Sequence, residues 1–160
     1  MIRKKKKYSK PRKPYEKIRI KEEDELVKKY GLKNKREIWK TLAKIKYFRN
    51  RAKELARHPI EEQQVLFSKL NSLGLKAENT SNILDLKVED FMNRRLSTIV
   101  GKNKMASTIK QARQLIVHKK VLISGKIVNS PGYLVPVAEE NLITLKNKKV
   151  LNEQKIGESN

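Results

Sequence analysis

Apolar positions recur every three or four residues through most of the first 118 positions, then give way to short apolar runs separated by turns. That change of period predicts a helical region followed by a small mixed unit, an α+β fold. Glu22 to Tyr30 reads as a short helix, with acidic residues in its first turn, Lys28 and Lys29 in its last, and Gly31 as its stop. A longer helix starts at Asn34 and ends near Arg57, because Pro59 disfavours helix at His58. Asn34 with Glu37 outlines a capping box at its start. Ile38, Trp39, Leu42, Ile45, Phe48, Ala52, Leu55 and Ala56 form one apolar face. A third helix spans Glu61 to Leu73, with Val65, Leu66, Leu70 and Leu73 inward and Gly74 as its stop. Lys76 to Asp85 reads as a polar loop.

Val88 opens a second unit. Val88 to Val100 reads as one helix carrying Phe91, Met92, Leu96, Ile99 and Val100 on its apolar side. Gly101 to Lys104 is a basic turn, and Ser107 is the expected N-cap of a helix running to about His118. Val121-Leu122-Ile123 and Ile127-Val128 flank Ser124-Gly125, the pattern of a tight hairpin. Asn129-Ser130-Pro131-Gly132 is a second turn, with Gly132 expected at the positive φ of a type II turn. Tyr133 to Val135 and Leu142 to Leu145 are expected as further short strands. The division is an extended basic arm over 1–20, a helical domain over 21–87, a compact module over 88–145 and a flexible tail over 146–160.

Charge sharpens this picture. The 160 residues include 39 Lys or Arg and 17 Asp or Glu, a formal net charge of +22. Residues 1–19 hold ten basic and one acidic residue, and residues 21–60 hold thirteen and six. Residues 61–90 reverse sign, with three basic and six acidic. Residues 91–135 then hold nine basic residues and no carboxylate at all. Such blocks suit a polyanionic partner, of which nucleic acid is the commonest. The arm, broken by Pro11 and Pro14, is expected to order against phosphates.

Composition also excludes. There is no Cys, hence no disulfide framework, Cys-type zinc finger or thiol nucleophile. His58 and His118 are the only histidines and make neither a triad nor a metal site. No phosphate-binding glycine pattern occurs. No apolar run is long enough to span a bilayer, and no apolar region follows the basic start as in a secretory signal. A soluble intracellular protein is expected, without enzyme activity, metal or cofactor.

The helix after Ser107 carries the candidate chemistry. At 100° per residue, Ile109, Ala112, Leu115 and Ile116 share one side. Ser107, Lys110, Gln111, Gln114 and His118 share the other, with Arg113 at its edge. That polar side offers hydroxyl, amide, imidazole and ammonium groups and no carboxylate. Donors without repelling acids suit phosphate and 2′-hydroxyl contacts on RNA. Arg94 and Arg95 on the preceding helix, Lys102 and Lys104 in the turn, and Lys126, Asn129, Ser130 and Tyr133 beyond the hairpin would complete a basic groove. Arg36, Lys40, Arg49 and Arg51 of the long helix and Lys5, Lys6 and Arg12 of the arm extend it. Charge reversal at Lys110 and Arg113 is expected to weaken RNA binding and leave the fold intact.

Three stretches carry a resemblance: Arg94-Arg95-Leu96; Ala106-Ser107-Thr108-Ile109-Lys110-Gln111-Ala112-Arg113-Gln114-Leu115-Ile116; and Ser124-Gly125-Lys126-Ile127-Val128-Asn129-Ser130-Pro131-Gly132-Tyr133-Leu134-Val135. Together they resemble the RNA-binding module named after small-subunit ribosomal protein four. With Leu26 to Trp39, the chain is similar to the archaeal and eukaryotic branch of that ribosomal family over most of residues 8–137. The resemblance implies a module of two helices on a small antiparallel sheet, the second helix facing RNA. It implies a cytoplasmic structural constituent of the small ribosomal subunit that binds ribosomal RNA early in assembly and contributes to translational accuracy. It further implies a place on the solvent side near the messenger's path into the subunit, beside small-subunit ribosomal protein five, and no homo-oligomer. Lys119 and Lys104 stand where many members have glycine, and Ser124-Gly125 replaces the usual Asn-Gly. The cysteine-rich zinc site of some bacterial relatives is absent. The competing readings are a non-ribosomal assembly or rescue factor using the same module, and a DNA-binding helix-turn-helix.

Overall fold

The computed structural model describes residues 7–146; Lys5, Lys6 and the tail beyond Lys146 lie outside the described residues. The element order is α1 (Lys17–Lys29), α2 (Arg36–Leu55), α3 (Ile60–Ser72), α4 (Thr80–Leu84), α5 (Val88–Asn93), α6 (Leu96–Lys102), α7 (Ile109–Val117), β1 (Val121–Ile123), β2 (Lys126–Ile127), α8 (Val137–Glu140) and β3 (Ile143–Leu145). The fold is α+β, as expected. Among the described residues no helix is long and apolar enough to cross a membrane.

Three apolar clusters hold it together. The first gathers Ile45, Phe48, Ala52 and Leu55 of α2 with Leu66 and Leu70 of α3, Ile83 of α4 and Phe91 of α5. The second, inside the module, packs Leu96, Ile99 and Val100 of α6 and Ala112 and Ile116 of α7 on Val121, Ile123 and Ile143 of the sheet. The third joins Tyr30, Leu32 and Ile38 to Met92. The sheet is antiparallel in the order β2-β1-β3, with Leu122 opposite Ile127 on one side and Thr144 on the other. Gly101 lets α6 approach α7, since a Cβ there would sit 3.3 Å from Ile109 Cγ1.

Several elements depart from expectation. Helix α1 begins at Lys17, not Glu22, because Arg19 binds the Lys13 and Pro14 carbonyls and the Glu23 carboxylate, folding the end of the arm onto it. The capping box at Asn34 does not form: Lys35 is the N-cap residue, and the Glu37 carboxylate accepts from the Lys33 N–H and from two arginines rather than from Asn34 N. Val65 is 72% exposed, since Leu66 and Leu70 point the apolar side of α3 about 100° away from it. Leu42 is also exposed. The loop over 76–85 contains α4, whose Ile83 plugs the first core. The Val88–Val100 helix is two helices, broken where Arg95 turns extended. Tyr133 to Val135 joins that break and not the sheet, with Leu96 N donating to Tyr133 O and Val135 N to Arg94 O. Thr108, not Ser107, caps α7, its hydroxyl accepting from Gln111 N. Gly132 does not have a positive φ; it lies against the Arg95 guanidinium.

Four helix ends close through a residue in the left-handed conformation. After α1 and α3 a glycine takes the left-handed position, Gly31 at φ +56° and Gly74 at φ +74°. After α6 and α7 a lysine takes it, Lys104 at φ 55° and Lys119 at φ 58°. In each case the next residue's N–H reaches back to the last turn, as Met105 does to Val100 and Lys120 to Leu115. Ser124 and Gly125, both at positive φ, make the two-residue hairpin turn. The left-handed turns thus persist at all three positions where glycine or asparagine is more usual. A left-handed lysine costs about 1–2 kcal/mol, partly offset by the freedom glycine gains on unfolding. Lys104→Gly and Lys119→Gly should therefore each stabilise the chain by up to about 1 kcal/mol, read as a higher urea midpoint. A lower midpoint would mean these turns are not under strain.

Candidate nucleic-acid interface

Helix α7 is held by its apolar side and exposes the other. Ala112 and Ile116 are fully buried, whereas Lys110, Gln111, Gln114 and His118 are exposed. Ser107, also exposed, anchors Gln111: both its backbone N–H and its hydroxyl donate to Gln111 Oε1. Lys102 and Lys104 precede the helix, and Lys119 and Lys120 follow it, all exposed. Lys126, Asn129 and Ser130 are exposed around the hairpin and the following turn. None of the six lysines from 102 to 126 forms an ion pair among the described residues. The module presents a donor surface whose cations are unmatched among the described residues.

Its arginines behave differently. Arg95 is 6% exposed and is held by Glu37. Arg113 donates to both oxygens of the same carboxylate, at 3.1 Å and 2.8 Å. Glu37 lies on α2, so this triad links the helical half to the module. Burial pushes the Glu37 pKa up, but the hydrogen bonds and charges of Arg113 and Arg95 outweigh it and hold the carboxyl below its ordinary value. Arg94 donates to Glu140 Oε2 at 2.8 Å and to the Val135 carbonyl at 2.9 Å. The carboxylates absent from residues 91–135 are therefore supplied by Glu37 and Glu140, from either side of that stretch.

The sequence-based site residues divide accordingly. Lys102, Lys104, Ser107, Lys110, Gln111, Gln114, His118, Lys126, Asn129 and Ser130 are all exposed on the module. Arg36 and Lys40 lie across a cleft of about 660 Å³ that also meets Lys44, Arg95, Arg113 and the Ser130-Pro131-Gly132 turn. Arg94, Arg95 and Arg113 stabilise the interior, so Arg113→Glu would set a second carboxylate against Glu37 and disturb the fold; only Lys110 of that pair tests binding cleanly. Arg49 donates to the Leu86 carbonyl at 2.8 Å, and Arg51 pairs with Glu54 on the exposed side of α2. The Tyr133 hydroxyl donates to Glu139 Oε2 at 2.9 Å, and that bond, with burial, raises its pKa. Arg12 is exposed in the arm.

Sequence reasoning missed Glu37 as the clasp and Lys7 and Lys44 as cleft residues. A signal for Glu37 existed: it is the only acid between Glu25 and Glu54. Lys44 reaches water, yet partial desolvation, then the nearby charges of Lys7 and Arg95, lower its pKa. Cations crowded together in this way favour an anion between them.

Residues 94–141 match the model of the S4 domain. The chain is 46% identical over 144 residues to small ribosomal subunit protein uS4 of Hyperthermus butylicus, covering 86% of this chain and 82% of that protein. It is 40% identical to the uS4 protein of Methanocella arvoryzae, over 88% of this chain and 75% of that one. With the uS4 protein of Saccharolobus islandicus it shares 47% identity over 86% of this chain and 80% of the other.

Proposed function

The chain belongs to the small ribosomal subunit protein uS4 family, and on that premise we propose that it is a structural constituent of the cytoplasmic small ribosomal subunit that binds small-subunit ribosomal RNA through its S4 module. The observation that carries the reading is the exposed side of α7 and its flanking turns. There, five lysines, joined by Lys126 on β2, and several neutral donors stand on an apolar backing with no carboxylate among them. RNA phosphates supply the missing anions, and 2′-hydroxyls meet the Ser107, Gln111 and Gln114 groups. The Glu37 triad holds the basic side of α2 in register with the module, so both halves present one surface. Binding of this kind, through a preformed module on an early-folding RNA scaffold, fits a role at the start of subunit assembly. A position beside small-subunit ribosomal protein five and a contribution to translational accuracy belong to the same reading, as does a single copy per subunit. It involves no catalytic step.

Cofractionation tests it. The protein should remain on purified small subunits in a one-to-one ratio through a high-salt wash. A protein that leaves the subunit in that wash, or that is found only on precursor particles, would instead be an assembly or rescue factor.

A further inference from the structure

Beside the cationic cleft lies a second hollow of about 670 Å³, with different walls. Ala43, Phe48, Leu73 and Leu134 make it apolar, and Tyr47 stands at its edge. Tyr47 is 63% exposed, although it is one of only three aromatic residues on α2. Its ring meets Phe48 edge-on, with centroids 5.5 Å apart at 69°, and Phe48 in turn stacks on Phe91 at 5.9 Å and 20°. The Tyr47 ring is thus braced from below by two buried aromatics while much of its own surface stays open. No hydrogen bond or ion pair engages its hydroxyl among the described residues.

The rim decides what such a hollow would receive. Lys7, Lys44 and Leu134 line both the hollow and the cleft. Among the described residues no carboxylate lines the hollow. In the cleft, the one carboxylate among the described residues, Glu37, is already shared between Arg95 and Arg113. An apolar chamber with an aromatic edge, opening directly onto unmatched cations, is complementary to a nucleotide: a π-faced apolar base joined to an anionic phosphate. An apolar protein side chain would fill the chamber and leave the cations without a partner.

We propose that this hollow receives a single unstacked nucleobase of the bound RNA, stacked on Tyr47, with the adjoining phosphate held by Lys44 and Lys7 in the cleft. This inference rests on the ribosomal-RNA reading above. It adds a second mode of contact: α7 grips the backbone, and the α2 hollow takes one base out of its stack. The contact does not require base identity, because every base has a π-face. It requires that the RNA offer a bulged, looped or junction nucleotide at that point.

The test uses the full chain and small-subunit ribosomal RNA. Tyr47→Ala should weaken binding about 10-fold, while the slope of affinity against salt stays unchanged. Tyr47→Phe should bind like the parent. Lys44→Gln should instead make the slope shallower by about 1. Ultraviolet crosslinking of the complex should join Tyr47 to a base. If Tyr47→Ala binds like the parent and no crosslink forms at Tyr47, while the parent's binding still falls steeply with salt, the base pocket is wrong and the ribosomal reading stands. A Tyr47 crosslink to a neighbouring protein in the assembled subunit also overturns it. A parent chain whose binding does not respond to salt would overturn the RNA reading itself, and this inference with it.

Discussion

Glu37→Ala should destabilise the folded chain by about 3–5 kcal/mol, the usual cost of removing one partner from a buried ion pair. Its carboxylate, 17% exposed, is the only acidic partner of Arg95 and Arg113 among the described residues. Arg95, at 7% side-chain exposure, is almost wholly withdrawn from water and borders it only along the cleft. Glu37→Gln should cost less, because the amide oxygen still accepts from one guanidinium. Urea unfolding followed by circular dichroism measures both. The pH dependence supplies an independent check. The folded-state pKa of Glu37 lies below its ordinary value of 4.5. Its contribution is therefore complete above that value and is lost as pH falls through the lower, folded-state pKa. Glu37→Gln should flatten the acid side of the stability profile. A loss under about 1 kcal/mol for Glu37→Ala, the scale of an exposed pair, would show that the triad holds nothing together.

The second large effect concerns the module's unmatched lysines. Changing Lys102, Lys104, Lys110, Lys119, Lys120 and Lys126 together to glutamine should lower affinity for small-subunit ribosomal RNA by about a thousandfold or more at 100 mM salt. The slope of log affinity against log salt should become shallower by about 5 if each lysine neutralises one phosphate. The fold should survive, since all six are exposed and none is in an ion pair among the described residues. Two of them sit in left-handed turns where glutamine is no worse than lysine. Arg94, Arg95 and Arg113, by contrast, are paired with carboxylates inside the protein, while the lysines face outward. An unchanged slope in the six-fold variant would show that this side of the module meets no backbone.

Much of this architecture was legible in the sequence because local chemistry decided it. The apolar stripe of α7 is so regular that its buried side, Ala112 and Ile116, follows from spacing alone. Gly31 and Gly74 mark helix ends because few other residues take a left-handed turn without strain. The Ser124-Gly125 hairpin follows from two short apolar runs around a turn pair. What stayed hidden was decided by contacts distant in sequence. The break at Arg94-Arg95 looks like continuous helix; what holds it open is Tyr133 to Val135, some forty residues away. Glu37 looks like a capping residue, since its partners are 58 and 76 positions along the chain. For the same reason, arginines and lysines that spacing treats alike separate in three dimensions. The guanidinium fork suits a buried carboxylate, and the ammonium keeps its water until a phosphate displaces it. The cleft and the Tyr47 hollow, assembled from the arm, α2, the end of α3, the break between α5 and α6, α7 and the turn before α8, left no trace in any one segment.

The central claim is that the exposed side of α7 lies against ribosomal RNA, and ultraviolet crosslinking of isolated small subunits, resolved to residue and nucleotide, tests it most directly. The expected result is crosslinks from the segment spanning Lys102 to Lys120, and from Lys126 to Ser130, to small-subunit ribosomal RNA. Crosslinks from that segment to a protein neighbour, or none while other parts of the chain react with the RNA, would contradict the account.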